Sequence, residues 1–379
     1  MDREIELSVV MPCLNEEGTI PACIGKIKGV FREQGIRGEI IVVDNGSTDH
    51  SAEAARSAGA VVFSEPRKGY GAAYLCGLKE ARGERIIIAD SDDTYDLYDI
   101  PKFLDKLREG YDFVIGSRFK GKIKKGAMSW PHRYIGNPIL SGMCRLFFRT
   151  PLSDIHCGMR AFTLRALRKM RLKSLGMEFA TEMVVSALQN NLKICEVPID
   201  YHPRKGKSKL EPLTDAWRHI RFMLLYCPVW LYFIPGTIGF VFGLFLIILL
   251  SGGPVLFLGR YWDLHVNIFA SVLCILSFQI LNLGIYAHTY AIKQRFLKYD
   301  RLTFFLQRFF RLEKGLLIGA ALFLLGLIIN MLIFIEWFSK GFGALYRIRE
   351  SILAMTLLVI GLQTVFSSFF ISLLFLRRK

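Results

Sequence analysis

Four apolar stretches in the C-terminal part of the chain, at about 229–251, 265–292, 314–338 and 351–376, constrain its architecture most. Each exceeds the roughly 18 residues a helix needs to cross a hydrocarbon core about 30 Å thick. Buried core helices are usually shorter, so four such runs in succession exclude a single soluble globule. Charge divides along the same line. Residues 229–379 hold 14 Lys and Arg against 5 Asp and Glu, whereas residues 1–228 hold 35 against 28. The net charge of +16 is therefore +9 in the apolar half and +7 in an N-terminal half of ordinary soluble composition. With 52% hydrophobic residues the 379-residue chain is not disordered, and its length suits two domains.

Loop charges predict the orientation. Between the second and third stretches lie seven bases: Lys293, Arg295, Lys298, Arg301, Arg308, Arg311 and Lys314. The C-terminus adds Arg377, Arg378 and Lys379. The loop after the first stretch has only Arg260, and the third-to-fourth loop has Lys340, Arg347 and Arg349. By the positive-inside rule the N-terminal domain, the middle loop and the tail are expected in the cytoplasm. Residues 1–7 are mostly charged and no signal peptide is expected. The second stretch contains His265, Asn267, Gln279, Asn282 and His288, which should face other helices or the interfaces, with Gln279 and Asn282 packing. Ahead of the first crossing, Trp217, Ile220, Leu224 and Cys227 recur at helical spacing beside Arg218 and Arg221. This reads as an interfacial helix or as the start of the first crossing. The expected organisation is a cytoplasmic domain over 1–210, an interfacial helix over 211–228 and a four-helix membrane domain over 229–379. Eight cysteines without a CxxC pair read as reduced packing residues rather than disulfides or a zinc site.

The N-terminal half alternates short apolar runs with amphipathic ones. Leu7–Met11, Glu39–Val43, Ala60–Phe63, Arg85–Ala89 and Phe113–Ile115 read as strands. Thr19–Phe31, Ser51–Ala58 and Gly71–Ala81 suit helices. The alternation predicts an α/β, Rossmann-like nucleotide-binding domain with a mainly parallel sheet. Arg118–Pro138, rich in bases, Gly and Pro, reads as a long mobile loop. Ligands of such sheets bind beyond the C-terminal strand ends. Here those ends carry MPCLNEE (11–17), DNGSTD (44–49) and DSDDTYD (90–96).

Carboxylates at Asp90 and Asp92, just past the apolar strand, repel each other unless a cation neutralises them. Hard oxygen ligands in small number suit Mg²⁺ or Mn²⁺ that also holds waters and a substrate diphosphate. A solvated turn or helix cap is the alternative. Asp44 with Asn45 and Gly46 is either a turn or a carboxylate that accepts hydrogen bonds from a base or ribose. RKGYGAAY (67–74) brings Lys68 and two glycines to a helix start, where backbone amides can face phosphate. YHPRKGKSKL (201–210) offers Arg204, Lys205, Lys207 and Lys209 to a phosphate or to an anionic leaflet.

At these residues the chain resembles inverting family-2 glycosyltransferases of GT-A fold, in the branch of dolichol-phosphate mannose and polyprenyl-phosphate glucose synthases. The matching strings are VVMPCLNEE, VVDNGSTD, RKGYGAAY, IIIADSDDTY, VIGSRF, DIHCGMRAF and EVPIDYHPRKGKSKL, covering about residues 6–210. The resemblance implies a nucleotide contact at Asp44, beside Pro12, Asn15 and Glu16. It implies metal-holding carboxylates at Asp90 and Asp92, although Thr94 stands where many relatives have Gln. It implies phosphate-binding arginines at Arg118 and Arg133, an acceptor motif at Asp154, Gly158 and Arg160, and a basic membrane-proximal segment at Arg204 and Lys209. The implied activity is transfer of one hexose from a nucleotide diphospho-sugar to a polyprenyl or dolichyl phosphate, with UDP-glucose narrowly preferred over GDP-mannose. Asp154 then orients the acceptor or assists its deprotonation. A processive polysaccharide synthase is the competing enzyme, and its Gln-x-x-Arg-Trp motif is missing. A non-enzymatic transporter or scaffold with a nucleotide-sensing domain is the competing class. The implied partners are the donor, the lipid phosphate and the bilayer, with a homo-oligomer left open. Nucleic acid is not expected, because the bases sit at membrane boundaries and phosphate loops.

Overall fold

A computed structural model describes residues 5–205, 212–293 and 312–375. The chain forms two compact units, Met1–Met223 and Leu224–Lys379.

The first unit is built on β1 (Leu7–Cys13), β2 (Gly38–Asp44), β3 (Val61–Ser64), β4 (Arg85–Ile88), β5 (Phe113–Ser117), β6 (Arg160–Thr163) and β7 (Ile194–Pro198). They form one sheet in the order β3-β2-β1-β4-β6-β5-β7. Residues such as Val9, Val10, Ile41, Val42, Ile86 and Ile87 are fully or almost fully buried. Runs apolar on both sheet faces are what a sheet covered by helices on each side requires. The covering helices include α1 (Ile20–Glu33), α2 (Ser51–Ser57), α3 (Tyr70–Glu80), α4 (Ile100–Arg108), α5 (Asn137–Phe148), α6 (Leu164–Met170) and α7 (Phe179–Gln189). Along α1, Ile20, Cys23, Ile24, Ile27 and Val30 form the buried stripe, at the spacing legible in the sequence.

β6 pairs antiparallel with both β4 and β5, and the other pairings are parallel. This reversal positions the site. The chain entering an antiparallel β6 does so at the edge where its neighbours end, so residues 154–160 reach the same rim as Asp44 and Asp90. No strand was expected at 160–163, where Arg160 and Thr163 flank only Ala161 and Phe162 and leave no continuous apolar run. The expected mobile loop is also more tied than its composition suggests. Ile123 bridges to Tyr201, Lys124 N–H donates to Tyr201 O at 3.0 Å, and Arg133 begins a helical turn, His132–Gly136, that runs into α5.

α8 (Pro212–Tyr226) follows. His219 and Met223 are buried, and Ala216, Ile220 and Met223 pack on the core of the first unit. Trp217, Arg218, Arg221 and Leu225 are exposed.

In the second unit, Val229–Ser251, Leu264–Lys293, Leu312–Ser339 and Ile348–Phe375 are long and apolar enough to cross a membrane. Their regular parts are α9 (Ile234–Ser251), α10 (Leu264–Lys293), α11 (Leu312–Ser339) and α12 (Ile348–Phe375). A short hairpin, β8 (Val255–Phe257) and β9 (Arg260–Trp262), joins the first two. α9 packs on α10, α11 on α12, and α10 on α12. Small residues let the backbones approach: a Cβ on Gly243 would lie 2.8 Å from Ala270 O, and one on Gly319 2.8 Å from Gly361 O. Asn267, Asn282 and His288 are buried between helices as expected. Gln279 is not: it lies on the outward stripe of α10 with Leu276 and Leu283, set apart by the helical period from the inward Cys274, Ser277 and Asn282. His265 is exposed as well. Lys209, most of the middle-loop bases and the C-terminal bases lie outside the described residues.

Candidate active site

The strand order reverses at β1, between β2 and β4, which is where open α/β sheets open a ligand crevice. Three loops meet there. From β1, Asn15 takes a positive φ of 52°, its side-chain carbonyl accepts from Thr48 N–H at 2.7 Å, and its own N–H donates to Ser47 Oγ at 3.0 Å. Glu16 N–H donates to Ser51 Oγ at 2.7 Å. These bonds lock the first loop to the DNGSTD loop. Within the latter, the half-buried Asp44 accepts from Ser47 N–H at 3.2 Å. Pro12 supplies a carbonyl to Ser91 Oγ–H at 2.7 Å, tying the first loop to the third.

The RKGYG loop is fixed by Asn45, whose amide donates to Glu65 O and Arg67 O and accepts from Gly69 N–H at 2.8 Å. Gly69 has φ 145°, and a Cβ there would lie 2.2 Å from Leu175 O, so only glycine fits. Gly69 and Ala72 therefore spend their amides on protein partners. Lys68 is exposed.

Asp90 lies at the floor. Tyr70 and Tyr74 of α3 donate to its Oδ1 at 3.0 and 3.3 Å. Burial, and next the charge of Asp92, push the Asp90 carboxyl up to about 6. Asp92 is held by Thr94, whose hydroxyl and N–H donate to Oδ1 at 2.6 and 3.2 Å. Thr94 thus orients a carboxylate. Asp93 turns away at φ 60° to two lysines, Lys26 at 2.6 Å and Lys205 at 2.7 Å. Burial opposes its ionisation, yet hydrogen bonds from Lys205 and Lys26 hold its carboxyl below the ordinary range.

This donor set fits a divalent ion. Half-buried Asp90 and buried Asp92 offer hard oxygens where their mutual repulsion lacks full compensation. Among the described residues no group of three His, Cys, Asp or Glu forms a closed cage. A bound Mg²⁺ or Mn²⁺ would take its other ligands from a substrate diphosphate and water, as such ions commonly do.

The remaining predicted residues come together differently. Arg118 and Asp154 form a buried bidentate pair, with Nε to Oδ2 at 2.7 Å and an Nη to Oδ1 at 2.8 Å. Arg118 N–H adds a third bond to Oδ2 at 3.1 Å, and the guanidinium lies 5.3 Å over the Tyr201 ring. Arg160 is 1% exposed and donates to the carbonyls of Ile155, Cys157 and Ala180, so it folds the acceptor motif back on itself. Gly158 abuts Asp90: a Cβ would sit 2.4 Å from Asp90 Oδ2, and its N–H donates to Tyr95 Oη at 2.8 Å. Arg204 spans Glu16 at 2.7 Å and Asp92 at 3.5 Å. Arg133 is half-buried over the Tyr134 ring at 5.4 Å. Tyr70, Tyr74, Tyr95 and Tyr201 escaped the sequence reading. The first two lie inside the RKGYGAAY string, where cations and glycines drew the attention.

This crevice, on a sheet of GT-A type and in a chain with four membrane-length helices, is that of a membrane glycosyltransferase. The chain belongs to glycosyl transferase family 2: residues 8–171 match that family's profile, and residues 285–375 match the family-2 C-terminal transmembrane region. It is 39% identical over 364 residues to the low-salt glycan biosynthesis hexosyltransferase Agl6 of Haloferax volcanii, across 96% of this chain and 87% of that relative. It is 33% identical to a dolichyl-phosphate hexose transferase of the same organism, across 56% of this chain and 89% of the relative. Among solved structures, glucosyl-3-phosphoglycerate synthase from Mycobacterium tuberculosis with Mn²⁺, UDP and glucosyl-3-phosphoglycerate is 22% identical. It covers 59% of this chain and 80% of its own, with a TM-score of 0.49.

Proposed function

We propose that the chain is an inverting hexosyltransferase that moves one hexose from a nucleotide diphospho-sugar to a polyprenyl or dolichyl phosphate. UDP-glucose is the preferred donor, ahead of GDP-mannose. The observation that carries this reading is the pairing of half-buried Asp90 with buried Asp92 at the reversal of the sheet, in a chain that also has four membrane-length helices. The similarity to a dolichyl-phosphate hexose transferase supports the acceptor class.

Asp44, with Pro12 and Asn15 beside it, holds the base or ribose. Asp90 and Asp92 would hold a Mg²⁺ or Mn²⁺ ion, which would compensate the charge of the leaving diphosphate. Tyr70, Tyr74 and Thr94 fix the directions of the two carboxylates. Arg204, Arg133, Lys68 and Lys209 draw the donor and acceptor phosphates together against their own repulsion. An acceptor phosphate oxygen forms its bond to the anomeric carbon as the bond from that carbon to the diphosphate oxygen breaks. The nucleoside diphosphate leaves with the electron pair, and the anomeric configuration inverts.

No strong base is needed, because a phosphate monoester is already largely ionised at pH 7. The geometry of Asp154 supports the orienting alternative. Its side chain is fully buried and both oxygens accept from Arg118. The pair shapes the acceptor side as a rigid unit, and the side-chain bonds of Arg160 to the carbonyls of Ile155, Cys157 and Ala180 hold the loop that carries it. The positive-inside pattern supports a cytoplasmic location for this chemistry.

The test is substitution of Asp92. Asp92→Ala in the full chain should abolish Mg²⁺- or Mn²⁺-dependent transfer from radiolabelled donor to polyprenyl phosphate. Full retention of transfer would sink the metal assignment.

A further inference from the structure

Asp93 is the one acid of the 90–93 run to which the reaction above gives no task. It is 9% exposed, and each carboxylate oxygen is bound by a lysine: Lys26 of α1 on Oδ1 and Lys205 on Oδ2. The lysines come from positions 67 and 112 residues away in sequence. A merely solvated turn acid draws in no such pair. Two ammonium groups closing on one buried carboxylate give little net stability after desolvation, but they fix position.

What they fix is the segment 202–205. His202 N–H donates to Thr94 O at 2.8 Å, and Tyr201 N–H to Lys122 O at 3.0 Å. Pro203 and Lys205 are exposed, and with His202, Lys26, Asp93, Tyr95 and Tyr98 they help line a cleft of about 390 Å³. Arg204 lies within this stretch, one residue before the clamped Lys205, and its guanidinium rests on Glu16 and Asp92.

We propose that Asp93 is a positioning residue, which through Lys26 and Lys205 anchors the 202–205 segment across the acidic loop and so keeps Arg204 at the phosphate end of the site. The inference rests on the reading of Arg204 as a phosphate-binding residue. Asp93 touches no substrate and acts through Arg204. When a phosphate draws the guanidinium off Asp92, the clamp limits the change to a swing of the Arg204 side chain. Without the clamp, the segment itself lifts and Arg204 is lost from the site.

Two readouts on the full-length protein in detergent test this. In Asp93→Asn, backbone hydrogen exchange at Tyr201 and His202 should quicken by about tenfold, with no change in α1 or α3. The KM for polyprenyl phosphate should rise about tenfold, while kcat and the donor KM stay within about twofold. Asp93→Glu should restore both, and Lys26→Met should reproduce the exchange effect should Asp93→Asn fold poorly. Unchanged exchange in both Asp93→Asn and Lys26→Met overturns the anchor. So does a fall in thermal midpoint with donor and acceptor KM rising together, which marks a general structural role. Should Asp93→Asn quicken exchange while Arg204→Gln leaves the acceptor KM unchanged, the anchor stands and the phosphate role of Arg204 fails.

Discussion

Gly158 shows how a single position ties the 154–160 loop to Asp90, one of the two carboxylates proposed to hold a metal ion. Its missing side chain leaves room for Asp90 Oδ2, which a Cβ would meet at 2.4 Å, while Tyr95 receives its N–H. Gly158→Ala must push Asp90 or the 154–160 loop aside. Overpacking of this kind costs about 1–3 kcal/mol, and misdirecting a metal carboxylate should lower the transfer rate about 100-fold. Transfer assays and thermal unfolding of the full chain measure the two effects, and wild-type rates would remove Gly158 from the site. The same scale shows what a sequence can carry. The strand-end places of Asp44, Asp90 and Asp92 were legible because each follows a continuous apolar run. The closed Arg118–Asp154 pair was not, because 36 positions separate two charges that only the antiparallel β6 brings together. Tyr70 and Tyr74 were hidden for another reason: a buried hydroxyl on a carboxylate leaves no pattern, since tyrosine also suits an ordinary helix core.

At the level of elements, α8 joins the catalytic unit through histidine. His219 hydrogen-bonds Thr181 of α7 at 2.8 Å, and its ring stands edge-on to His156, between Asp154 and Gly158, with centroids 4.4 Å apart. Burial, then Arg160 and Arg218, depress His219 from 6.5 to about 4. His156 is depressed well below its usual value by burial, by His219 and by Arg118 and Arg160. Both rings are therefore neutral in the fold, while the unfolded chain takes up protons below about pH 6.5. Stability from this pair is full above pH 6.5 and is lost as pH falls toward about 4. Thermal midpoints across that range should fall as pH drops, and His219→Gln should flatten the slope; an unchanged slope contradicts the assignment. The helical face of α8 was readable, but its bias was not. Trp217 was grouped with Ile220 on one apolar face, yet Ile220 faces the catalytic core and Trp217 is exposed. Spacing alone does not separate the stripe that packs on the protein from apolar residues outside it. For β6 the limit was composition: Arg160 and Thr163 flank only two apolar residues, so no apolar run marks the strand.

For the whole molecule, the strongest sequence signal was also the simplest. The four spans of the structure coincide with the four apolar runs within a few residues, because a hydrocarbon core demands length and uniform composition. The +16 charge divides between the two halves, +9 over residues 229–379 and +7 over residues 1–228. The proposed topology predicts that a tag on the N-terminus is digested by protease in sealed inside-out vesicles and protected in right-side-out ones. The reverse pattern would place the acidic crevice on the other face. The central claim is the transfer itself, and its most direct measurement uses the purified full chain with Mg²⁺ or Mn²⁺, polyprenyl phosphate and a panel of radiolabelled nucleotide sugars. The account predicts a lipid bearing a single hexose, released together with nucleoside diphosphate and formed best from UDP-glucose. A polymer, or donors left intact in the presence of the lipid phosphate, would contradict it.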